Sequence, residues 1–166
     1  MLEKIENEIK NAKAGKPAGI QFKLNSLLDE VFVEALYRAS NAGVKVDLVI
    51  RGISSIRPGI KGLSENITVR SILGRFLEHS RIYHFVNNND DEYWIGSADL
   101  MHRNLDRRIE SLMRVDKSQH KELLQEIFDI SLSPSTSSWH QIDDNWTRHK
   151  ESQDIQQLLM QKYLNG

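Results

Sequence analysis

Cysteine is absent from the 166-residue sequence. Its absence excludes disulfide bonds, thiolate nucleophiles and cysteine-ligated metal sites, and it fits a reducing compartment. No apolar run approaches the length of a membrane span, and the first segment, "MLEKIENEIKNAKAGK", is too charged for a signal peptide. We therefore expect a single cytoplasmic domain over residues 1–166, and the sequence leaves open whether a longer protein containing it associates with a membrane.

An excess of either charge is also missing. The formal net charge is −1, so the overall charge does not indicate nucleic acid or an acidic membrane surface as a partner. The charges are unevenly distributed, however, because nine of the eleven arginines lie between residues 51 and 114, where Lys61 is the one lysine. Arginine presents a planar set of donors that binds phosphate oxygens in pairs, so this cluster indicates a phosphate-binding surface. The alternative is that these arginines pair with nearby acids, namely Glu65, Glu78, Asp99, Asp106 and Glu110.

Alternating helix and strand patterns predict an α/β fold. Residues 2–15 and 27–43 carry apolar side chains at helical spacing, while residues 18–26 and 44–52 show strand patterns. A strand, a helix of about four turns and a second strand are together typical of a parallel strand pair. Further strands are predicted to begin near residue 67, on both sides of the turn at 87–91 and within 107–115, and helices are predicted over 118–132 and 153–164. The tail beyond residue 133 is otherwise polar.

Three groups of candidate functional residues lie next to predicted strands. Arg51 and Gly52 end one strand, where glycine allows a ligand close to the backbone and where open α/β sheets bind ligands. His79 and Arg81 stand at the start of another. Because residues i and i+2 of a strand point the same way, we expect both side chains to face one ligand, the imidazole moving a proton and the guanidinium neutralising phosphoryl oxygens. The third group follows a small-residue turn and contains Arg103, Asn104, Arg107 and Arg108.

The second and third groups resemble the half-site of the phospholipase D superfamily. That pattern is His-x-Lys, then Asp, then Gly-Ser-x-Asn. Here Arg81 replaces the lysine, the Asp position falls on Val86, and the segment from Gly96 ends in Asp99 instead of Asn. The resemblance is to the fold of the superfamily, whereas the residues of its hydrolase site are incomplete.

A much longer resemblance covers residues 5–128. The segments "AGKPAGIQFKLNSL", "VDLVIRGISSIRPG", "RFLEHSRIYHF" and "YWIGSADLMHRNLDRRIE" closely resemble the C-terminal catalytic part of polyphosphate kinase, in the large family that forms a phosphohistidine. The resemblance implies a phospholipase D-like fold, with a mixed sheet flanked by helices. Residues 133–166 fit the family less well, and we expect them to form a divergent tail.

The resemblance also implies a reaction and two site residues. The family transfers the γ-phosphate of ATP to polyphosphate, and back, through a phosphohistidine in a preceding domain that this sequence does not contain. Arg51 matches a nucleotide-binding arginine of the family. His79 matches its second active-site histidine, which we expect to meet ATP as a general acid or phosphate ligand. From spacing alone, we add Arg81 and the trio Arg103, Arg107 and Arg108 as expected phosphate or polyphosphate contacts.

The expected partners are therefore ATP and polyphosphate, together with the upstream domains of the same enzyme. We expect Mg²⁺ and a homo-oligomer in the full-length enzyme, but no metal bound by this domain alone and no nucleic acid. The other histidines are expected to be structural, in the case of His84, or to lie on the surface.

Two further functions stay open. A phospholipase D-like phosphodiesterase or nuclease could build one site from two half-motifs across a dimer, and it predicts metal-independent cleavage of phosphodiesters. A non-catalytic assembly module predicts no response to ATP or polyphosphate. The kinase interpretation predicts binding of these ligands without turnover by the isolated chain, because the phosphohistidine is missing.

Overall fold

A parallel strand–helix–strand unit forms the centre of the structure, as the sequence pattern predicts. The computed structural model, which describes residues 1–150 and 153–164, places β1 at Gly19–Leu24, α2 at Glu30–Asn41 and β2 at Lys45–Ile50. Asp29 caps α2 because its side chain accepts a hydrogen bond from the backbone amide of Phe32. The two strands pair in parallel along their whole length.

Among the described residues, the chain forms eight strands and five α-helices. The α1 helix precedes the central unit at Leu2–Lys13. The remaining elements follow in chain order: β3 (Ile67–Ser71), β4 (Ile82–Phe85), β5 (Glu92–Gly96), α3 (His102–Leu105), β6 (Leu112–Val115), α4 (Ser118–Leu132), β7 (Ser138–Ile142), β8 (Asn145–His149) and α5 (Ile155–Leu164).

All eight strands join one mixed sheet in the order β6-β5-β4-β1-β2-β3-β7-β8. The three central strands β1, β2 and β3 are parallel, and the strands on either side are antiparallel to their neighbours. Because β4 runs opposite to β1, its amino end lies beside the carboxyl ends of the parallel strands. Because β5 runs opposite to β4, its carboxyl end lies there as well. We call this side of the sheet the carboxyl edge.

Helices cover both faces of the sheet. Alternate side chains of a strand point to opposite faces, and Leu48 and Val49 of β2 show this directly. Leu48 belongs to the main apolar core with Ile5 of α1 and Leu36 of α2, whereas Val49 packs in a separate cluster with Ile155 of α5. The helix α4 covers the neighbouring strands on the same face as α5, through a cluster centred on a fully buried phenylalanine at position 128.

The structure departs from the sequence prediction mainly in the tail. The polar segment after residue 133 contains β7 and β8, which extend the sheet beyond β3, although only the last helix of the tail is predicted from the pattern. Every residue of β8 is exposed, so the strand lacks the apolar alternation that sequence analysis relies on. The predicted strand at 107–115 is confined to β6. The predicted domain and tail also include residues 151–152 and 165–166, which lie outside the described residues. No helix in the described part of the chain has the length and apolar character needed to cross a bilayer.

Candidate functional site

The three groups of candidate residues meet at the carboxyl edge of the sheet. Arg51 directly follows β2, and His79 and Arg81 directly precede β4. The arginines from 103 to 108 follow the end of β5. The loop after β1 joins the segments that follow β2 and β5, because the amide of Leu27 donates to the carbonyl of Ile53 and the amide of Leu100 donates to the carbonyl of Ser26. Each group lies next to a strand or in the loop after one, as the sequence pattern predicts, and the topology places those strand ends on one edge of the sheet.

A narrow cleft opens between the ends of β1 and β2 and is lined by Lys23, Asn25, Arg51, Glu78 and Ser80, among others. Its free volume is about 10 Å³, which is room for about one water molecule. The Arg51 side chain is half-buried, and the Ser71 hydroxyl donates to its carbonyl at 3.0 Å. The Asn25 side chain is 6% exposed, and its amide nitrogen has no hydrogen-bond partner among the described residues. An acceptor entering the cleft would meet a buried, unpaired donor there.

An ion pair that the sequence analysis did not identify closes one side of this cleft. The Lys23 ammonium lies 2.9 Å from the Glu78 carboxylate, and the lysine side chain is only 7% exposed. Burial raises the pKa of Glu78, but Lys23 and a hydrogen bond from Ser80 outweigh it, so the pKa lies below its ordinary value. The signal in the sequence is the lysine itself, because a charged residue between Phe22 and Leu24 of a central strand needs a partner.

A second ion pair joins Arg81 to Asp99. The guanidinium Nη2 donates to Asp99 at 2.8 Å, and Nε donates to the same carboxylate at 3.3 Å. The backbone amides of Asn25 and Ser26 also donate to Asp99, at 2.8 and 3.3 Å. Burial raises the pKa of Asp99, but these hydrogen bonds and Arg81 together hold it below its ordinary value.

The expectation that His79 and Arg81 lie on a strand is wrong. The strand β4 begins at Ile82, so both residues lie in irregular backbone before it. The Arg81 side chain turns back, and its Nη1 donates to the carbonyl of His79 at 2.7 Å. The buried Asp99 carboxylate determines this direction, because it forms a charge-assisted ion pair with the guanidinium. The His79 side chain itself is exposed.

The trio Arg103, Arg107 and Arg108 is exposed, and in the part of the chain that the structure describes none of the three forms an ion pair. The acidic residues considered above as partners of these three arginines have other partners. Asp99 binds Arg81, Asp106 lies 3.3 Å from the His102 ring, and Glu110 accepts hydrogen bonds from Asn104 and Ser97. The three guanidinium groups are therefore available to an anionic ligand.

The other histidines do not assemble a metal site. Within residues 1–150 and 153–164, no three carboxylate or imidazole side chains are grouped as metal ligands would be. His84 is buried in β4, where its ring stacks on Tyr93 and bonds to Gln21 and Asp91. It packs and bonds as a structural residue.

A protein-family model matches nearly the whole chain. The family model described as "Polyphosphate kinase C-terminal domain 2" matches residues 1–161. The polyphosphate kinase of Streptomyces coelicolor is 52% identical over 159 residues, which are 95% of this chain and 21% of that protein. The chain thus spans about a fifth of the length of this curated relative.

Solved structures show the same relationship and the fold. The crystal structure of the polyphosphate kinase from Porphyromonas gingivalis superposes with a TM-score of 0.90 at 37% identity, over 99% of this chain and 26% of that one. The phospholipase D family member Nuc from Salmonella typhimurium superposes with a TM-score of 0.53 at 14% identity, over 86% of this chain and 89% of that one. The mixed sheet flanked by helices is therefore a phospholipase D-like fold, as expected.

Proposed function

The chain belongs to the polyphosphate kinase family as its C-terminal domain, and on that premise we propose that it supplies nucleotide and polyphosphate contacts for transfer of the γ-phosphate of ATP to polyphosphate. One observation carries the proposal. Arg51, His79 and the exposed arginine trio come from distant parts of the sequence, yet the topology brings all of them to the carboxyl edge. Open α/β sheets bind ligands at that edge.

In this proposal, Arg51 holds the phosphates of the nucleotide. Its guanidinium can donate two parallel hydrogen bonds to phosphate oxygens. Arg51 is half-buried and lines the same cleft as Asn25, whose amide nitrogen has no partner among the described residues. His79 meets the same phosphates as a general acid or as a hydrogen-bond donor. Transfer of the γ-phosphoryl group builds negative charge on the leaving ADP oxygen, and a nearby imidazolium offsets that charge or protonates the oxygen.

Polyphosphate contacts are assigned to the exposed arginines. Arg103, Arg107 and Arg108 have no carboxylate partner among the described residues, so no ion pair must be broken when a polyanion binds. Arg81 already uses three of its five N–H groups on Asp99 and on the His79 carbonyl. The two remaining N–H groups are what it offers to a phosphate, so its contribution is smaller than that of a free arginine.

The phosphohistidine and the Mg²⁺ site are assigned to the upstream domains of the enzyme. Support for such a partner comes from apolar side chains beside the proposed site. Ile53, Leu73 and Leu77 are 62%, 65% and 74% exposed, and they lie in the loops that follow β2 and β3 at the carboxyl edge. Exposed apolar groups of this size favour contact with another domain. Assembly of the full enzyme into a homo-oligomer remains part of the proposal.

A binding assay on the chain tests the assignment of Arg51. Titration calorimetry with ATP at low salt should show weak binding, and Arg51→Ala should weaken it at least about tenfold, because each charge-assisted hydrogen bond that the guanidinium makes contributes about 1.5–3 kcal/mol. Arg38→Ala is the matched control, because Arg38 is an exposed arginine on α2 that pairs with Glu6. Equal weakening by both substitutions would show only a general charge effect and would contradict the assignment.

A turnover assay separates the proposal from its alternatives. The isolated chain should form no ADP from ATP and polyphosphate, because it lacks the phosphohistidine. Turnover that disappears in His79→Ala would contradict this. Metal-independent cleavage of bis(p-nitrophenyl) phosphate would instead support the phosphodiesterase alternative.

A further inference from the structure

His79 lies between two ion pairs that fix its backbone from both sides. On its amino side, Glu78 pairs with Lys23 of β1. On its carboxyl side, Arg81 pairs with Asp99 and also donates to the carbonyl of His79 itself. The histidine is exposed, so apolar packing does not hold it in place. Its position at the carboxyl edge therefore depends on these polar contacts.

The Lys23–Glu78 pair has the properties of a strong anchor. The lysine side chain is 7% exposed and that of Glu78 is 32% exposed, so water screens the pair less than it screens a surface ion pair. The lysine belongs to a central strand that pairs with β2 on one side and β4 on the other. The glutamate belongs to the irregular segment before β4. The pair therefore ties an irregular segment to an interior strand of the sheet.

Among the described residues, few other contacts could hold the loop that leads from β3 to β4 in place beside the sheet. Residues 73–77 are exposed. Phe76 exchanges two backbone hydrogen bonds with the side chain of Gln156, at 2.8 and 2.9 Å, which hold the loop three residues upstream of His79. Between that point and β4, the ion pairs that the described residues form with the sheet or with the loop after β5 are those of Glu78 and Arg81.

We propose that Lys23 and Glu78 are a positioning pair for His79, which holds the histidine backbone beside the Arg51 cleft before any phosphate binds. The inference rests on the proposed function in one respect only, the phosphate role of His79. Lys23 and Glu78 are not catalytic residues in this proposal, because they act through the backbone of their neighbour. Because the histidine is already ordered, binding of phosphate does not carry the entropic cost of ordering it.

A different role for Glu78 makes the opposite prediction. Its carboxylate contacts Lys23 and lies in the field of Arg51, so it could instead occupy a phosphate site and compete with the ligand. The cleft has a free volume of about 10 Å³, so in this competing role Glu78 would leave as a phosphoryl group entered, whereas under positioning the pair stays intact and the phosphate binds at the mouth of the cleft. Under competition, Glu78→Gln strengthens binding of ATP or triphosphate. Under positioning, it weakens that binding.

The first measurement needs no ligand. Backbone ¹⁵N relaxation of the chain should give rigid order parameters of about 0.85 at His79 and Ser80, falling below about 0.6 in Lys23→Met and Glu78→Gln. Lys23→Arg keeps the charge and should retain the order. Lys4→Met is the matched control, because it removes another partly buried ion pair, that of Lys4 with Glu92, and should leave His79 unchanged. Unchanged order at His79 in Glu78→Gln would overturn the proposal. Glu78→Gln leaves the central strand unaltered, so it still tests the proposal if Lys23→Met does not fold.

The second measurement is titration of the same variants with ATP and with inorganic triphosphate. Both Lys23→Met and Glu78→Gln should weaken binding about tenfold, the factor expected when binding must order about one residue. The double variant should be no weaker than the weaker single variant, because each residue acts through the other. Tighter binding by Glu78→Gln would overturn the positioning role. If the unaltered chain binds neither ligand, the proposed phosphate site fails, while the order parameters still decide whether the pair positions His79.

Discussion

The ion pair of Arg81 with Asp99 should be the most costly polar contact of the carboxyl edge to disrupt. Asp99 is 5% exposed and Arg81 is 15% exposed at the side chain. The carboxylate accepts four hydrogen bonds, two from the guanidinium and two from the amides of Asn25 and Ser26. Asp99→Asn introduces the asparagine of the phospholipase D pattern. It also leaves the largely buried Arg81 guanidinium without an anionic partner.

The expected loss follows from the burial of the pair. Breaking one partner of a buried ion pair costs about 3–5 kcal/mol, and the asparagine carbonyl still accepts from one backbone amide, so we expect about 3 kcal/mol. Arg114 and Asp116 provide the matched control, because they are also an arginine–aspartate pair, at 3.3 Å, with the Asp116 side chain 79% exposed. Asp116→Asn should change the free energy of unfolding by less than about 0.5 kcal/mol.

Urea unfolding at neutral pH, followed by circular dichroism, measures both variants. The pH dependence gives a second check. The pKa of Asp99 is lowered in the folded state, so the ionised carboxylate stabilises the fold. This contribution to stability should be complete above the unfolded aspartate pKa of about 3.9 and should be lost as the pH falls through the pKa of Asp99 in the folded state. Equal, small losses for Asp99→Asn and Asp116→Asn would refute the argument that burial makes the first pair strong.

Two further predictions concern the packing of the sheet. Gly96→Ala should lower the free energy of unfolding, measured in urea, by about 1–3 kcal/mol. The added Cβ would lie 2.2 Å from the carbonyl oxygen of Ser111, so β6 would have to move. An unchanged stability would contradict that close approach. His140→Gln should flatten the pH dependence of stability between about pH 6.5 and 4. Burial, Arg70 and the stacked His149 ring lower the pKa of His140 from 6.5 to about 4, so the neutral ring stabilises the fold above pH 6.5 and this contribution is lost toward pH 4. A pH profile as steep as that of the unaltered chain would contradict this assignment.

The central part of the fold could be predicted from sequence because its apolar pattern matches its structure. The strands β1 and β2 and the helix between them have side chains that follow the period of each element, and each is covered on at least one face by the core. The helix α4 has the bounds predicted for it, residues 118–132. The hairpin of β7 and β8 could not be predicted in this way, because an exposed edge hairpin buries too few side chains to impose a pattern.

The candidate site was predictable in location but not in detail. Arg51 and His79 could be placed at strand ends from the sequence, and the resemblance to polyphosphate kinases gave them roles. The direction of the Arg81 side chain could not be predicted, because it depends on Asp99, eighteen residues away in the sequence. The partner of Lys23 was unpredictable for the same reason, since Glu78 lies 55 residues farther along the chain.

The most direct test of the proposed phosphate site is a map of amide chemical shifts during titration of the chain with ATP and, separately, with polyphosphate. We expect the shifts to cluster in the segments 51–55, 78–81 and 96–108 at the carboxyl edge. The ATP shifts should be strongly reduced in Arg51→Ala and His79→Ala. Shifts at other surfaces, or ATP shifts at the carboxyl edge that persist in both variants, would contradict the assignment of this edge as the phosphate site.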